Sequence, residues 1–443
     1  MPKTDVFCTG TCPGFDLQLF LVQNRIKCQP ARFQMQVATA YMGDTKHHIS
    51  GHMAIKRTGY SKFPFMRTRR IVFNIHLYIG LAVGLFLVLI GLTGSMVVFR
   101  EEIEKLMHPE LLETAVRGER VPVQTVLNAV KRSYPEDKIV FIRMPRMPQE
   151  TYLLKMNSAH DLFVYADPYS GEVLGAHRQE DTFIGWVALV HTELLMGEYG
   201  KTVLGVTALL LICMSITGPF LWWPPNGKIS RGLKIDWRGP RKKLVFDMHR
   251  AFGIYSVLFL LIVALTGVSL VFNKTVAEIT NFLTASAPRP PPPPSSSPGE
   301  TGAMPSIDDL RHRADRILSG PTTWITFPQT SEASLVIRKK MPGEFNPNGK
   351  SFIYFDQYTG EVLLVEDASS APVGTRIYNT FYPLHIGTLG GLPTRIFQVI
   401  VGFLPLLLFV TGYVMWRNRR KARAYKNTSK NWTRNTSPLR KEK

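Results

Sequence analysis

The chain has 443 residues, 45% of them hydrophobic, with 53 Lys and Arg against 33 Asp and Glu and a formal charge of +20. That length and composition suit two to four soluble domains, but the basicity is local: residues 56–70 carry six Lys/Arg and no acid, 224–250 carry eight against Asp236 and Asp247, and 417–443 carry eleven against Glu442. These segments flank apolar runs and hold the whole net charge, which is the positive-inside pattern of a membrane protein; no recognition motif or aromatic–basic platform accompanies it, which excludes nucleic acid as the partner.

Residues 1–65 hold no apolar region with a cleavage site, so a cleaved signal peptide is not expected. They read as an N-terminal extension, either disordered or upstream of a start at Met53 or Met66. The four cysteines form no disulfide framework, and Cys8-x3-Cys12, with His47, His48 and His52 further on, is only a weak metal motif. The first span, 66–99, includes HLYIGLAVGLFLVLIGLTGSMVVF at 76–99, a charge-free run longer than the roughly 20 apolar residues that cross a bilayer.

Residues 100–182 are hydrophilic, and their pattern predicts a helix at 121–134 and strands at 138–143, 151–157 and 162–167, closing on the turn Asp167-Pro-Tyr-Ser-Gly171. Segment 183–223 combines an interfacial stretch, FIGWVALVHTELLMGEYG, with a second span that stops at Trp222-Trp223-Pro224-Pro225. A basic loop follows at 224–248 and a third span at 249–273. Segment 274–376 contains a Pro-rich stretch at 287–300, read as a stiff linker rather than a folded element, then a helix near 305–318 and strands near 323–327, 333–338 and 351–356. A second interfacial stretch and the fourth span occupy 377–416, and the basic tail 417–443 has no period and is expected to be disordered.

The order of elements occurs twice. His76, Gly80 and Leu92-Thr93-Gly94 match His249, Gly253 and Leu265-Thr266-Gly267 at an offset of 173. Asp167–Leu174 matches Asp356–Leu363 at an offset of 189. His191, Lys201, Thr217-Gly218 and Trp222 match His385, Arg395, Thr411-Gly412 and Trp416 at an offset of 194. Two crossings per half make the halves parallel repeats about an axis along the membrane normal.

Four of the eleven histidines recur under this duplication. His76 and His249 begin the first and third spans. His191 and His385 stand eleven or twelve residues before the second and fourth, about 17 Å along a straight helix. Gly197/Gly200 and Gly387/Gly390/Gly391 are therefore expected to fold these segments back. A single interfacial histidine is ordinarily just a tolerated amphipathic residue, but a duplicated pair at each face suits axial ligation of two b-type haems, which need no Cys-x-x-Cys-His attachment. Gly80, Gly84, Gly91, Gly94, Gly253 and Gly267 would admit a porphyrin and equally suit close helix packing. Arg70 and Arg250 at one face, and Lys201 and Arg395 at the other, would neutralise haem propionates or serve as snorkelling anchors.

The HLYIGL, LTG, DxYxGEVL and LHxG-type elements resemble the PepSY-associated transmembrane family, bacterial iron-regulated inner-membrane proteins that include ferric-siderophore reductases, over residues 66–420. The resemblance implies a membrane α-helical fold of four transmembrane helices in two parallel repeats, each carrying a small extramembrane α+β PepSY-like module. It also implies haem on His76, His249, His191 and His385. Two readings follow. The first is an inner-membrane electron conduit that reduces a ferric siderophore or other chelate in the periplasm. Its electron donor would be a partner protein or quinol, since no flavin or nicotinamide motif is present. The second is a non-enzymatic sensor, scaffold or protease regulator anchored in the lipid. Lys/Arg placement puts both termini and the loop 224–250 in the cytoplasm, with 100–200 and 274–394 outside.

Overall fold

The computed structural model describes residues 63–158, 162–224, 227–296 and 305–435. The Cys8/Cys12 motif, almost all of the N-terminal extension, positions 297–300 of the Pro-rich stretch and 436–443 of the tail lie outside the described residues.

In the first half, helix α1 (Phe63–Val97) is followed by α2 (Arg100–Met107), α3 (Pro109–Leu112) and α4 (Val123–Ser133). Strands β1 (Lys138–Arg143), β2 (Tyr152–Asn157), β3 (Leu162–Ala166) and β4 (Val173–Arg178) come next, then α5 (Phe183–Glu193) and α6 (Gly197–Trp222). After α7 (Ile229–Leu233), the second half runs through α8 (Arg241–Val271), α9 (Asn273–Leu283) and α10 (Ile307–Ile317). It continues with β5 (Thr322–Thr326), β6 (Leu335–Lys339), β7 (Ser351–Phe355) and β8 (Val362–Glu366), and ends with α11 (Val373–His385) and α12 (Leu392–Asn435).

Helices α1, α6, α8 and α12 are long and apolar enough to cross a membrane, the shortest span having 26 residues, about 39 Å at 1.5 Å per residue against a hydrocarbon core of about 30 Å. Apolar side chains such as Leu85, Phe86, Ile216, Leu258 and Phe403 are exposed along them, the surface that lipid covers. Helix α1 packs on α6 and α12, and α8 packs on the same two, so α1 and α8 occupy opposite corners of the bundle. Close approach of α1 and α12 depends on Gly91, where a Cβ would lie 2.3 Å from the Gly402 carbonyl oxygen. Ser95 Oγ seals that crossing by donating to Val399 O at 3.0 Å.

The strands of both halves join in a single eight-stranded antiparallel sheet of order β4-β3-β2-β1-β5-β6-β7-β8. The halves meet where β1 pairs with β5, Ile142 opposite Ile325. Alternation of buried residues along β2 and β6 turns Leu154, Met156, Leu335 and Ile337 onto one face. There they form a core with Val123, Val126 and Val130 of α4 and Ile307, Leu310 and Ala314 of α10. The Asp308 carboxylate accepts from the Val123 and Gln124 N–H groups at 3.0 Å, so α10 of one half caps α4 of the other. The recurrent Asp-x-Tyr-x-Gly turns close the outer hairpins. In each, the aspartate accepts from the backbone N–H two residues on, Tyr169 at 2.7 Å and Tyr358 at 2.8 Å.

One expectation gains a detail and another changes. The Pro-rich stretch has no helix or strand through residue 296, yet it is fastened to the sheet. Arg289 Nε donates to Glu366 at 2.9 Å, Ser295 N donates to Glu332 O at 2.9 Å, and Ser296 N donates to the Asp356 carboxylate. The tail is helical through Asn435 rather than disordered. Its Arg, Lys and Ala are good helix formers, and they extend a helix already nucleated in the membrane, which removes the costly step of helix formation.

Candidate functional site

Each of the four duplicated histidines sits against a Thr-Gly dipeptide of another helix. His76 of α1 meets Thr217 of α6, Nδ1–H donating to Oγ1 at 2.9 Å. His249 of α8 donates from Nδ1 to Thr411 Oγ1 of α12 at 3.0 Å and to Leu408 O at 3.1 Å. His191 of α5 donates to Ile90 O of α1 at 3.1 Å and approaches Thr93 Oγ1 at 3.3 Å. His385 of α11 donates to Thr266 Oγ1 of α8 at 2.9 Å.

These bonds fix the tautomer. Every threonine hydroxyl gives its proton to the carbonyl one turn back, at 2.7 Å for Thr93 and Thr411, 2.8 Å for Thr266 and 2.9 Å for Thr217. Its oxygen is therefore left as an acceptor, and carbonyl oxygens can only accept. The proton of each imidazole is held on Nδ1, and Nε2 keeps the lone pair that binds a metal. The glycine of each dipeptide makes room for the ring. A Cβ would stand 2.7 Å from His191 Cε1 at Gly94, 3.3 Å from His249 Cε1 at Gly412, 3.5 Å from His385 Cε1 at Gly267 and 3.7 Å from His76 Cε1 at Gly218.

The rings come together as pairs. His191 and His385 have centroids 6.4 Å apart and planes inclined by 40°. His76 and His249, from opposite corners, are close enough for their charges to interact. Along α1, His76 and the Thr93 seat are seventeen residues apart, about 26 Å of helix. His249 and the Thr266 seat have the same spacing on α8. The two pairs thus lie toward opposite ends of the bundle.

The expected fold-back is present. Helix α5 ends at Leu194 and Leu195, both left-handed at φ 50° and 59°, and Gly197 adds a φ of 57°. The chain reverses there, so that α5 packs beside α1 and α6. Gly387 and Gly391, at φ 75° and 69°, do the same after α11. Gly200 serves differently: a Cβ there would lie 1.6 Å from the Glu193 carbonyl oxygen.

Three of the four basic residues are engaged by protein groups. Arg250 pairs with Asp247 at 2.9 Å, Lys201 with Glu198 at 2.6 Å, and Arg395 with Glu102 at 2.5 Å while donating to Val98 O at 2.6 Å. Arg70 is exposed. These contacts tie the three side chains to neighbouring carboxylates of the protein. The threonines received no role from the sequence, although Thr93, Thr217, Thr266 and Thr411 recur under the same offsets as the histidines, and that recurrence was the available signal.

Residues 73–419 match the model of a family described as the PepSY-associated TM region. No curated protein matches the chain.

Proposed function

The chain belongs to the PepSY-associated transmembrane family, and from that premise we propose that it is a haem-containing electron-transfer protein of the bacterial inner membrane that reduces ferric siderophores or other ferric chelates on the sheet side. The observation that carries this reading is the His191–His385 pair. A metal–imidazole bond of about 2 Å on each side, plus about 1 Å from nitrogen to ring centre, separates the centroids of two axial imidazoles by about 6 Å. The observed 6.4 Å meets that requirement. Two histidines per site also suit a metal whose other ligands come from a macrocycle. Among the described residues, no group of three or more His, Cys, Asp or Glu would hold a bare ion.

His191 and His385 would hold one b-type haem and His76 and His249 the other, each supplying a one-electron carrier when bound. The chain's own part is to present Nε2 in the correct tautomer, to keep each ring within its Thr-Gly seat, and to set the two sites toward opposite ends of the bundle. The donor, a partner protein or quinol, would meet the basic end. That end, bearing Arg67, Arg69, Arg70 and the stretch from Arg417 to Lys426, is read as cytoplasmic together with both termini. The sheet is read as periplasmic, its halves as two PepSY-like modules of a parallel repeat. The matching offsets and the equal seventeen-residue spacings support this. One electron delivered to the chelate converts Fe(III) to Fe(II), a less highly charged fit to hard oxygen ligands, which favours release.

The test uses dithionite-reduced protein in vesicles with a ferric siderophore and a ferrous trap. Haem reoxidation matched by trapped Fe(II) is the expected result. Protein without a Soret band, or reduced haem that no ferric chelate reoxidises, overturns the proposal and leaves the sensor or scaffold reading.

A further inference from the structure

A cavity of about 220 Å³ lies between the sheet and α11, lined by Arg338 of β6, Asn346, Asn348 and Lys350 of the following loop, and Tyr378 and Tyr382 of α11. One of its cations is held in place by the surrounding protein. Arg338 Nε donates to Gly349 O at 2.9 Å, and its guanidinium lies 5.6 Å from the Phe352 ring and 6.0 Å from that of Trp324. Lys350 lines the same space, and its ammonium makes no hydrogen bond or ion pair among the described residues.

The neighbouring acids are tied to other groups, although Glu344 still acts on both cations through its charge. Both carboxylate oxygens of Glu344 accept backbone N–H groups, from Lys350 at 2.8 Å and from Met341. Glu366 is held by Arg289 at 2.9 Å. Glu101 pairs with Arg143 at 3.1 Å and Arg146 at 3.3 Å. Burial first, then the charges of Arg338 and Arg289, push the Lys350 ammonium down to about 8 against the opposing pull of the Glu344 carboxylate, so the cations here outweigh the acid that faces them.

Two built-in cations, the amides of Asn346, Asn348 and Asn379, and two phenols, beside the apolar Leu270 and Phe381, make a receptor for a ligand rich in anionic oxygen. The volume equals that of about seven waters, enough for one anionic arm but not a whole large chelate. Tyr382 precedes His385 by three residues on α11, about 4.5 Å of rise, so a ligand held here stands next to the histidine pair on the sheet side.

We propose that this cavity docks the carboxylate-type arm of a negatively charged ferric chelate, and that the chain consequently selects anionic chelates over cationic ones. This rests on the reductase reading for its physiological ligand, but binding can be measured without electron transfer. The full-length protein in nanodiscs of neutral lipid is titrated with gallium(III) citrate, an anionic complex that is redox-inert under these conditions, and with cationic gallium(III) desferrioxamine B. The citrate complex is expected to bind at least tenfold tighter, and Lys350→Gln to weaken it by about tenfold, the scale of a charge-assisted hydrogen bond. Because the Lys350 ammonium makes no hydrogen bond or ion pair among the described residues, the variant should keep the wild-type melting temperature and haem content; Arg338→Lys provides a second weakened variant that retains its charge.

Equal binding of the two complexes, or citrate affinity unchanged in both variants, overturns the proposal. So does loss of citrate binding when phosphatidylglycerol is added to the nanodisc, which would assign the cavity to a lipid headgroup. The two readings fail separately. Gallium citrate binding without any ferric reduction counts against the reductase alone. Ferric reduction without charge preference or Lys350 dependence counts against this site alone.

Discussion

Gly94→Ala separates a built histidine seat from casual proximity. The new Cβ would lie 2.7 Å from His191 Cε1, 3.2 Å from Nδ1 and 3.5 Å from Nε2. Carbon atoms in contact prefer about 3.5–4.0 Å, so the ring must retreat by roughly 0.8 Å or more, a tolerance that active centres do not have. The retreat also strains the Nδ1 bonds to Ile90 O at 3.1 Å and Thr93 at 3.3 Å. Overpacking of this kind costs about 1–3 kcal/mol, which would weaken haem retention at the His191/His385 site by about 5- to 150-fold. The matched control is Gly218→Ala, whose Cβ stands 3.7 Å from His76 Cε1 in ordinary contact. Both variants are purified in detergent and compared by haem-to-protein ratio, Soret intensity and redox titration. Gly94→Ala is expected to lose up to half of the haem, or to shift one potential only, while Gly218→Ala keeps both centres. Equal losses in the two variants, or a Gly94→Ala protein with both potentials unchanged, would refute the seat.

Three further outcomes are expected. His249→Ala should remove about half of the haem absorbance and spare the His191/His385 site; full haem content in single alanine variants at all four histidines would rule out the ligand assignment. Thr217→Val should cost the His76/His249 site about 10- to 100-fold in haem affinity, and Thr411→Val less, because His249 Nδ1 keeps Leu408 O at 3.1 Å whereas His76 Nδ1 has only Thr217 among the described residues; equal losses measured by haem transfer to apomyoglobin would contradict this. At Asp356, burial raises the carboxyl, but the backbone N–H groups of Ser296, Thr359 and Tyr358 outweigh it and hold it down to about 2. A depressed folded-state value means the turn's stabilisation is complete above about pH 4 and is lost as pH falls toward 2, so Asp356→Asn should lower the melting temperature at pH 6 and flatten its decline toward pH 2. Parallel melting curves for wild type and variant across that range would refute it.

What the sequence makes legible here is whatever is repeated or periodic. The four spans stand out as charge-free runs, and His76, His249, His191 and His385 are marked by duplication rather than by local context. The pairing of β1 with β5 has no local signal, because it joins strands about 180 residues apart and either edge would look the same facing water. The reversal at Leu194 and Leu195 is similarly hidden, since leucine does not advertise a left-handed conformation. The engagement of Arg250 was obscured by a boundary. With the third span read from 249, Asp247 belongs to a loop; with α8 starting at Arg241, Lys243, Asp247 and Arg250 fall on one helical face and pair.

The arrangement of the seats has a mechanical consequence. No histidine of the four is held by its own helix: His76 of α1 relies on α6, His249 of α8 on α12, His191 of α5 on α1, and His385 of α11 on α8. Helices α1 and α8 therefore each carry a histidine in their N-terminal half and, seventeen residues on, the seat for a histidine of the other pair. Interiors packed at Gly91 and Gly402 resist bending, so a sub-ångström slide of α1 along its axis would move His76 away from Thr217 and Thr93 away from His191 together. The bonds that orient the imidazoles are also bonds between helices. Orientation at both sites and assembly of the bundle are thus one structural condition, and a change in helix packing that disturbs one histidine pair should be felt at the other.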